Sequence, residues 1–128
     1  MSKEKEYVGS TMPAEDTLIT LDAKHLGGKA SKTANDLEPQ FLNTGWTATY
    51  RGNGVIKLNI NCPIIHPGST VLIGISEYSN TASPATSRFI GSARYAVYNI
   101  SPREGGVFVW MEISWGSPIN IFIELLVN

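Results

Sequence analysis

The sequence has one cysteine, no excess of basic charge and no long apolar run. Its single cysteine, Cys62, excludes an internal disulfide and a thiolate-rich zinc site. The formal net charge is −1, so the chain lacks the excess of basic side chains that is typical of nucleic-acid-binding proteins. We therefore expect no nucleic-acid partner. No stretch reaches the roughly 18 apolar residues that would predict a membrane-spanning helix.

The opening residues, MSKEKEYVGS, are charged and lack the apolar segment of a signal peptide. We therefore expect a soluble protein. We also expect it to be either cytoplasmic or exported by a non-classical route to act at cell surfaces.

Side chains suited to catalysis or metal binding are also scarce. The two histidines, His25 and His66, stand in no context that places either beside a nucleophile. Cys62 ends a strand-like run, where a buried thiol is favoured over a reactive one. Carboxylates occur singly rather than in pairs, which favours solvation of strand edges at Glu104, Glu112 and Glu124. We expect no enzyme, no metal site and no cofactor, with a small β-sandwich hydrolase as the weaker alternative.

Charge divides the chain into two parts of one domain. Residues 1–40 hold 12 of the 21 charged side chains, including every lysine except Lys57. This part is interpreted as a charged N-terminal arm, or as a first strand plus loop of the same domain. Residues 41–128 are interpreted as the β-sandwich core, and the total length of 128 residues is that of a single domain.

The core sequence predicts short strands rather than helices. Runs of β-branched and aromatic residues alternate with Gly, Pro, Asn and Ser, as in antiparallel all-β domains. The segment RGNG, residues 51–54, predicts a hairpin in which Asn53 and Gly54 adopt positive φ. Strands at this spacing predict an all-β sandwich or jelly roll. The predicted strands are residues 17–22, 45–51, 54–61, 70–77, 88–100, 106–115 and 118–127.

The last two predicted strands are apolar on both faces, because successive side chains alternate across a strand. One face of each supplies a core stripe, and the opposite face carries further large apolar residues. Such a face needs a cover, so we expect an oligomer. The alternative is that the N-terminal arm covers this face within one chain. The residues expected at a subunit interface are Phe108, Trp110, Phe122 and Leu126.

The loop EYSNTASPATSR, residues 77–88, has the composition of a sugar-binding site. A sugar needs planar donors for its vicinal hydroxyls, hydroxyl or amide partners, and a ring against its apolar face. The loop offers an arginine, several hydroxyls and a tyrosine. The alternative is a solvated connection, since Ser, Thr, Asn and Pro are common turn residues.

Three motifs resemble the fucose-binding, tumour-necrosis-factor-like (TNF-like) domain at the N-terminus of a bacterial superlectin. They are GVIKLNINCP at 54–63, YSNTASPATSR at 78–88 and WGSPINI at 115–121. The resemblance covers roughly residues 53–127. It implies a jelly-roll, TNF-like β-sandwich that forms a homotrimer and binds fucosylated oligosaccharides, such as L-fucose and H-type or Lewis-type glycans. A structural trimer domain without sugar binding, such as a fibre head, is the alternative.

The resemblance also implies which residues touch the sugar. Tyr78, Thr86 and Arg88 match the family's contacts, whereas Glu77 stands at a family threonine and Ala85 at a family serine. The remaining two implied contacts also depart from the family. His66 replaces a tyrosine and Trp115 replaces a second arginine, which removes a bidentate clamp and adds a stacking surface.

Overall fold

The computed structural model describes residues 18–26 and 45–128, which form nine strands and one short 3₁₀ turn, Pro84–Thr86. The β-branched and aromatic runs become strands because their side chains pack well on a pleated surface. The strands are β1 (Leu18–Asp22), β2 (Lys24–His25), β3 (Gly45–Gly52), β4 (Gly54–Asn61), β5 (Val71–Tyr78), β6 (Arg88–Phe89), β7 (Arg94–Arg103), β8 (Gly106–Ser114) and β9 (Ile119–Val127).

The strands form two sheets, which confirms the predicted all-β sandwich. Sheet A has the order β1-β4-β8-β7, and sheet B has the order β2-β3-β9-β5-β6. Neighbouring strands are antiparallel except β1 and β4, which pair in parallel. The predicted pattern was therefore right for every pair except the one that the N-terminal strand makes.

The core lies between the sheets and is built from alternate residues of the central strands. The inner stripe of β8 and that of β9 are almost fully buried, and β4 and the loop after it add further aliphatic side chains. Each such side chain contributes roughly 1.5–3 kcal/mol when it leaves water. Cys62 is fully buried among them, as predicted. The inner stripes are Val107, Val109, Met111 and Ile113 on β8, and Ile121, Ile123, Leu125 and Val127 on β9.

The prediction of a hairpin at RGNG, residues 51–54, is wrong. The two strands that flank it belong to different sheets, since β3 pairs with β9 while β4 pairs with β8. Gly54 has a φ of 84°, but no described residue other than glycine has a positive φ, so Asn53 does not form the predicted turn. The Asn53 side chain instead donates a hydrogen bond to the Trp115 carbonyl at 3.1 Å. The long-range pairings of β3 with β9 and of β4 with β8 decided the topology here, not the local turn signal.

The single strand predicted over residues 88–100 is also wrong. Its first part is β6 in sheet B, and its second part is β7 in sheet A. Residues 90–93 cross between the sheets, with Gly91 in the crossing. The change of sheet places Arg88 and Tyr95 on opposite sheets of the sandwich.

Part of the charged arm belongs to the sandwich. Residues 18–26 supply β1 to sheet A and β2 to sheet B, so they lie at the edge of each sheet. The rest of the arm, residues 1–17 and 27–40, lies outside the described residues.

The four apolar residues predicted at one interface lie on two different surfaces. Phe108 and Trp110 alternate with the core stripe of β8 and face outward from sheet A. Phe122 and Leu126 start from the outer face of sheet B. Phe122 is only 4% exposed within the single chain, so the prediction that it needs a partner is wrong, and only Leu126 remains open there. One interface therefore cannot cover all four.

Candidate functional site

The loop between β5 and β6, residues 79–87, is held by its own hydrogen bonds. The Ser79 amide donates to the Ser87 carbonyl at 3.1 Å, and the Asn80 amide donates to Ser87 Oγ at 3.0 Å. The Asn80 side chain in turn accepts from the Ala82 amide at 2.8 Å. These bonds are local side-chain to backbone contacts of the kind that Ser and Asn favour in turns. The loop therefore presents Thr86 in a defined position.

Arg88 lies at the end of this loop and is held on three sides. Its Nε donates to the Ala85 carbonyl at 2.9 Å, and its Nη1 forms an ion pair with Glu124 Oε2 at 2.7 Å. The guanidinium carbon lies 4.9 Å from the centre of the Phe122 ring. No described residue accepts a hydrogen bond from Nη2, and the side chain is 37% exposed. Donors of a fixed guanidinium are therefore available to a ligand.

Tyr78 and Thr86 flank Arg88 in different ways. Tyr78 pairs with Arg88 across β5 and β6, so both side chains start from the same face of sheet B. Tyr78 is only 7% exposed, which leaves little of its ring for a ligand in the single chain. Thr86 is exposed, and its hydroxyl lies 3.5 Å from the Ser83 carbonyl. The structure thus brings these three predicted residues together.

A groove of about 490 Å³ lies between the loop and residues 21–26 at the edge of the sandwich, and Arg88, Thr86 and Tyr78 do not line it. Pro84 and Ala85 line it on the loop side, and Phe122 lines its apolar part. Thr47 and Thr49 on β3 add two hydroxyl-bearing side chains. Its volume is in the range of small-ligand sites, and its lining combines an apolar ring with polar groups. The groove thus brings Thr47, Thr49 and Phe122 close to the loop, which the sequence did not predict.

Glu77 does not share the face of its neighbour Tyr78. It continues the inward stripe of β5 and pairs in register with Phe89 on one side and Ile121 on the other. The pKa of the Tyr95 hydroxyl, on the opposite sheet, is raised by burial and then by the Glu77 charge. Glu77 therefore lies between the sheets and cannot contact a ligand bound beside Arg88 in the same chain.

His66 lies at the other end of the sandwich from this site. It stands in the loop before β5, whereas Tyr78 is the last residue of that eight-residue strand, roughly 25 Å away at about 3.3 Å per residue. Its Nδ1 accepts a hydrogen bond from the Gly68 amide at 3.2 Å, and its own amide donates to Ser69 Oγ at 3.0 Å. Within one chain, His66 shapes a turn and does not reach Arg88.

Trp115 lies at the same end of the sandwich as Tyr78 but on a separate loop. It follows β8 and precedes β9, whose residue Ile121 pairs with Glu77. The ring is 45% exposed. No hydrogen bond or ring contact joins Trp115 to Arg88 among the described residues.

Glu124 lies beside Arg88 in the candidate site, and the sequence did not predict this position. It was assigned to the solvation of a strand edge, but β9 is the central strand of sheet B and Glu124 forms the ion pair with Arg88. The alternation of β9 shows that Glu124 and Phe122 share the outward face. What the sequence alone could not show was that β6 would place Arg88 above both residues, although Arg88 is 36 residues from Glu124 in sequence.

Residues 18–26 and 45–128 were also compared with the requirements of a metal site and of a membrane-spanning helix. In these residues no group of three His, Cys, Asp or Glu side chains could hold a metal ion, and no helix is long and apolar enough to cross a membrane. Burial raises the pKa of the Cys62 thiol, which favours its unreactive neutral form. Comparison with known proteins gives no match to a family model, to a curated protein or to a solved structure.

Proposed function

We propose that this protein is a lectin that recognises fucosylated glycans through the corner formed by Arg88, Thr86 and Tyr78. The observation that supports the proposal is the fixed Arg88 guanidinium, which keeps unused donors next to the exposed Thr86. A planar guanidinium can fork two vicinal hydroxyls of a sugar, and the hydroxyl of Thr86 adds a third partner.

Pre-organisation makes this corner suitable for a weak ligand. Each sugar hydroxyl exchanges water for protein with little net gain, so affinity depends on donors that need no further ordering. Arg88 is already immobilised by Ala85, Glu124 and Phe122. The Arg88 side chain has therefore lost its rotamer entropy before the sugar binds, so binding does not have to order it.

The proposed lectin is a homotrimer assembled through the outer face of sheet B. Leu72 and Leu126 are 61% and 41% exposed there, and they line a groove of about 260 Å³ with Gly74 between the strands. Exposed apolar patches of this kind mark association surfaces. In a trimer, His66 or Trp115 of a neighbouring chain would complete a site that one chain does not assemble. Several sites per particle would add avidity for a glycan-coated surface.

Isothermal titration with L-fucose and with an H-type or Lewis-type oligosaccharide tests the proposal. We expect Arg88→Lys to lower affinity at least about tenfold, because lysine keeps the charge but loses the fork. The matched control is Arg94→Lys, which changes an exposed arginine of sheet A and should bind like the wild type. Equal binding by all three proteins, or no binding by any, would contradict the lectin assignment.

A structural trimer domain without sugar binding is the second candidate. The observation that favours it is the ion pair to Glu124, which gives Arg88 a partner in the absence of any ligand. A trimer that shows no response on a glycan array would support this candidate instead.

A further inference from the structure

One end of the sandwich presents large apolar side chains to solvent. Ile90 is fully exposed and its neighbour Phe89 is 45% exposed, where the chain leaves β6 and crosses to β7. Trp115 lies at the same end, because Arg94 at the start of β7 pairs with Ser114 at the end of β8. Single exposed apolar residues are common on protein surfaces. Phe89 and Ile90 are consecutive and lie at the same end as Trp115, and exposed apolar groups of this kind often mark a binding surface.

The tip formed by Phe89 and Ile90 is supported from inside the sandwich. Glu77 pairs in register with Phe89, and its carboxylate lies against Gly91. A methyl group at Gly91 would collide with that carboxylate and would lie 3.3 Å from the Phe89 ring. Glycine at 91 therefore lets the turn close over Glu77. Ile90 projects from this packed turn, where a polar residue would serve the described fold equally well.

The charge presented beside the tip is positive. Arg94 and Arg51 are exposed at this end, and Arg94 forms no ion pair with a described residue. Arg51 donates from Nη1 to the neutral side chain of Asn120 at 3.1 Å, so its charge is not compensated by that contact. Glu77 is turned inward beneath the tip, and Glu112 on β8 accepts a hydrogen bond from Tyr98.

We propose that Phe89 and Ile90 insert into the surface of an anionic lipid bilayer, with Arg94 beside them on the lipid phosphates. Apolar side chains flanked by arginine and tryptophan match the layered chemistry of that surface. Aliphatic groups reach the acyl boundary, indole rings favour the headgroup level, and cations are attracted to anionic lipid. The contact is peripheral. Phe89 directly follows Arg88 in β6, so the two proposals are separated by experiment, with vesicles that carry no sugar.

Co-sedimentation with vesicles that contain no sugar tests this inference. The full chain should bind mixed phosphatidylcholine–phosphatidylglycerol vesicles, and high salt should weaken the binding. Ile90→Ser should lower the partition coefficient about tenfold. Arg94→Gln should lower it several-fold on the mixed vesicles but not on pure phosphatidylcholine. The matched control is Ile64→Ser, which changes an isoleucine that is 40% exposed at the other end of the sandwich and should bind like the wild type.

Three results would overturn the inference. They are absence of wild-type binding, equal binding by Ile90→Ser, and an equal loss with Ile64→Ser. Light scattering on Ile90→Ser supplies a further test, because a change in particle mass would show that the tip joins copies of the chain instead. Since the vesicles carry no sugar, failure here leaves the lectin proposal untouched, and failure of the sugar titration leaves this one untouched.

Discussion

Two arginines, one on each outer face of the sandwich, have similar positions but different hydrogen-bond partners. Arg103 on sheet A and Arg88 on sheet B each lie over a phenylalanine ring, at 5.2 Å from Phe108 and 4.9 Å from Phe122. All three nitrogens of Arg103 donate to described acceptors, whereas Arg88 Nη2 has none. Arg103 is a structural clamp, whereas Arg88 keeps a donor nitrogen that no described residue uses.

The surroundings of Arg103 explain its saturation. Its Nε donates to Asn59 Oδ1 at 3.1 Å and its Nη2 donates both to that oxygen and to Asn61 Oδ1, the latter at 2.8 Å. Asn61 in turn donates to Asp22 at 2.8 Å, so the contacts run across the face of sheet A from β7 to β1. A network in which each member has partners rigidifies the sheet and offers few groups to a ligand.

The largest effect should come from placing a charge on one face and not on the other. If sheet B forms the trimer interface, Leu126→Asp buries an unpaired carboxylate there, which costs several kcal/mol, and the particle should fall to one chain. Val55→Asp, on the outer face of sheet A, should leave the trimer intact, although Val55 is 50% exposed in the single chain and Leu126 only 41%. Light scattering on a sizing column measures both.

A reversed outcome, with Val55→Asp disrupting the particle and Leu126→Asp sparing it, would assign the interface to sheet A. A wild-type protein that runs as a monomer would remove the interface and every site shared between chains.

The next effect should be on stability. Arg103→Met removes hydrogen bonds from a charged donor to partly buried amides and should lower the free energy of unfolding by about 2–3 kcal/mol. Arg88→Met loses one partly exposed ion pair and one backbone contact, so its cost should stay below about 1 kcal/mol. Urea denaturation of both variants gives the comparison. Equal losses would mean that Arg88 is as structural as Arg103.

Local sequence patterns predicted the strands well but not their partners. The alternation in β8 and β9 identified the core stripes correctly, because burial of one strand face is a local property of period two. The segment RGNG and the run 88–100 were misassigned because a turn signal does not record which sheet the next strand joins. That choice depends on pairings between distant segments.

The candidate site likewise contains residues that the local sequence predicted and residues that only the strand pairing brings in. Tyr78, Thr86 and Arg88 lie within eleven residues, so one short loop could bring them together, and it does. Glu124 and Phe122 come from a strand far along the sequence, so their place beneath Arg88 followed only from the sheet order. Glu77 was misplaced for a simpler reason, since adjacent residues of a strand face opposite sides.

A smaller effect should come from the partner of Arg88. Glu124→Gln keeps an oxygen that can accept from Nη1 but removes the charge, and a partly exposed ion pair is worth about 0.2–1 kcal/mol. We expect affinity for the fucosylated oligosaccharide to fall by no more than about fivefold, because the guanidinium becomes less fixed. Glu112→Gln on sheet A is the control and should bind sugar like the wild type. Tighter binding by Glu124→Gln would show instead that Glu124 competes with the ligand for Arg88.

The smallest effect should appear at alkaline pH and belongs to sheet A. Its outer face carries Tyr98, whose hydroxyl donates a hydrogen bond to Glu112, and this bond raises the pKa of Tyr98 above the ordinary value of 10.0. A phenol with a raised pKa in the folded state stabilises the fold fully below about pH 10, and the contribution is lost as the pH rises through the folded-state pKa. Stability of the wild type should therefore decline above pH 10 more steeply than that of Tyr98→Phe, which cannot ionise there. Tyr95, whose pKa is also raised, remains in both proteins and sets the shared background. Denaturation midpoints measured from neutral pH to pH 11 give the two slopes, and identical slopes would mean that the bond between Tyr98 and Glu112 does not hold the proton in solution.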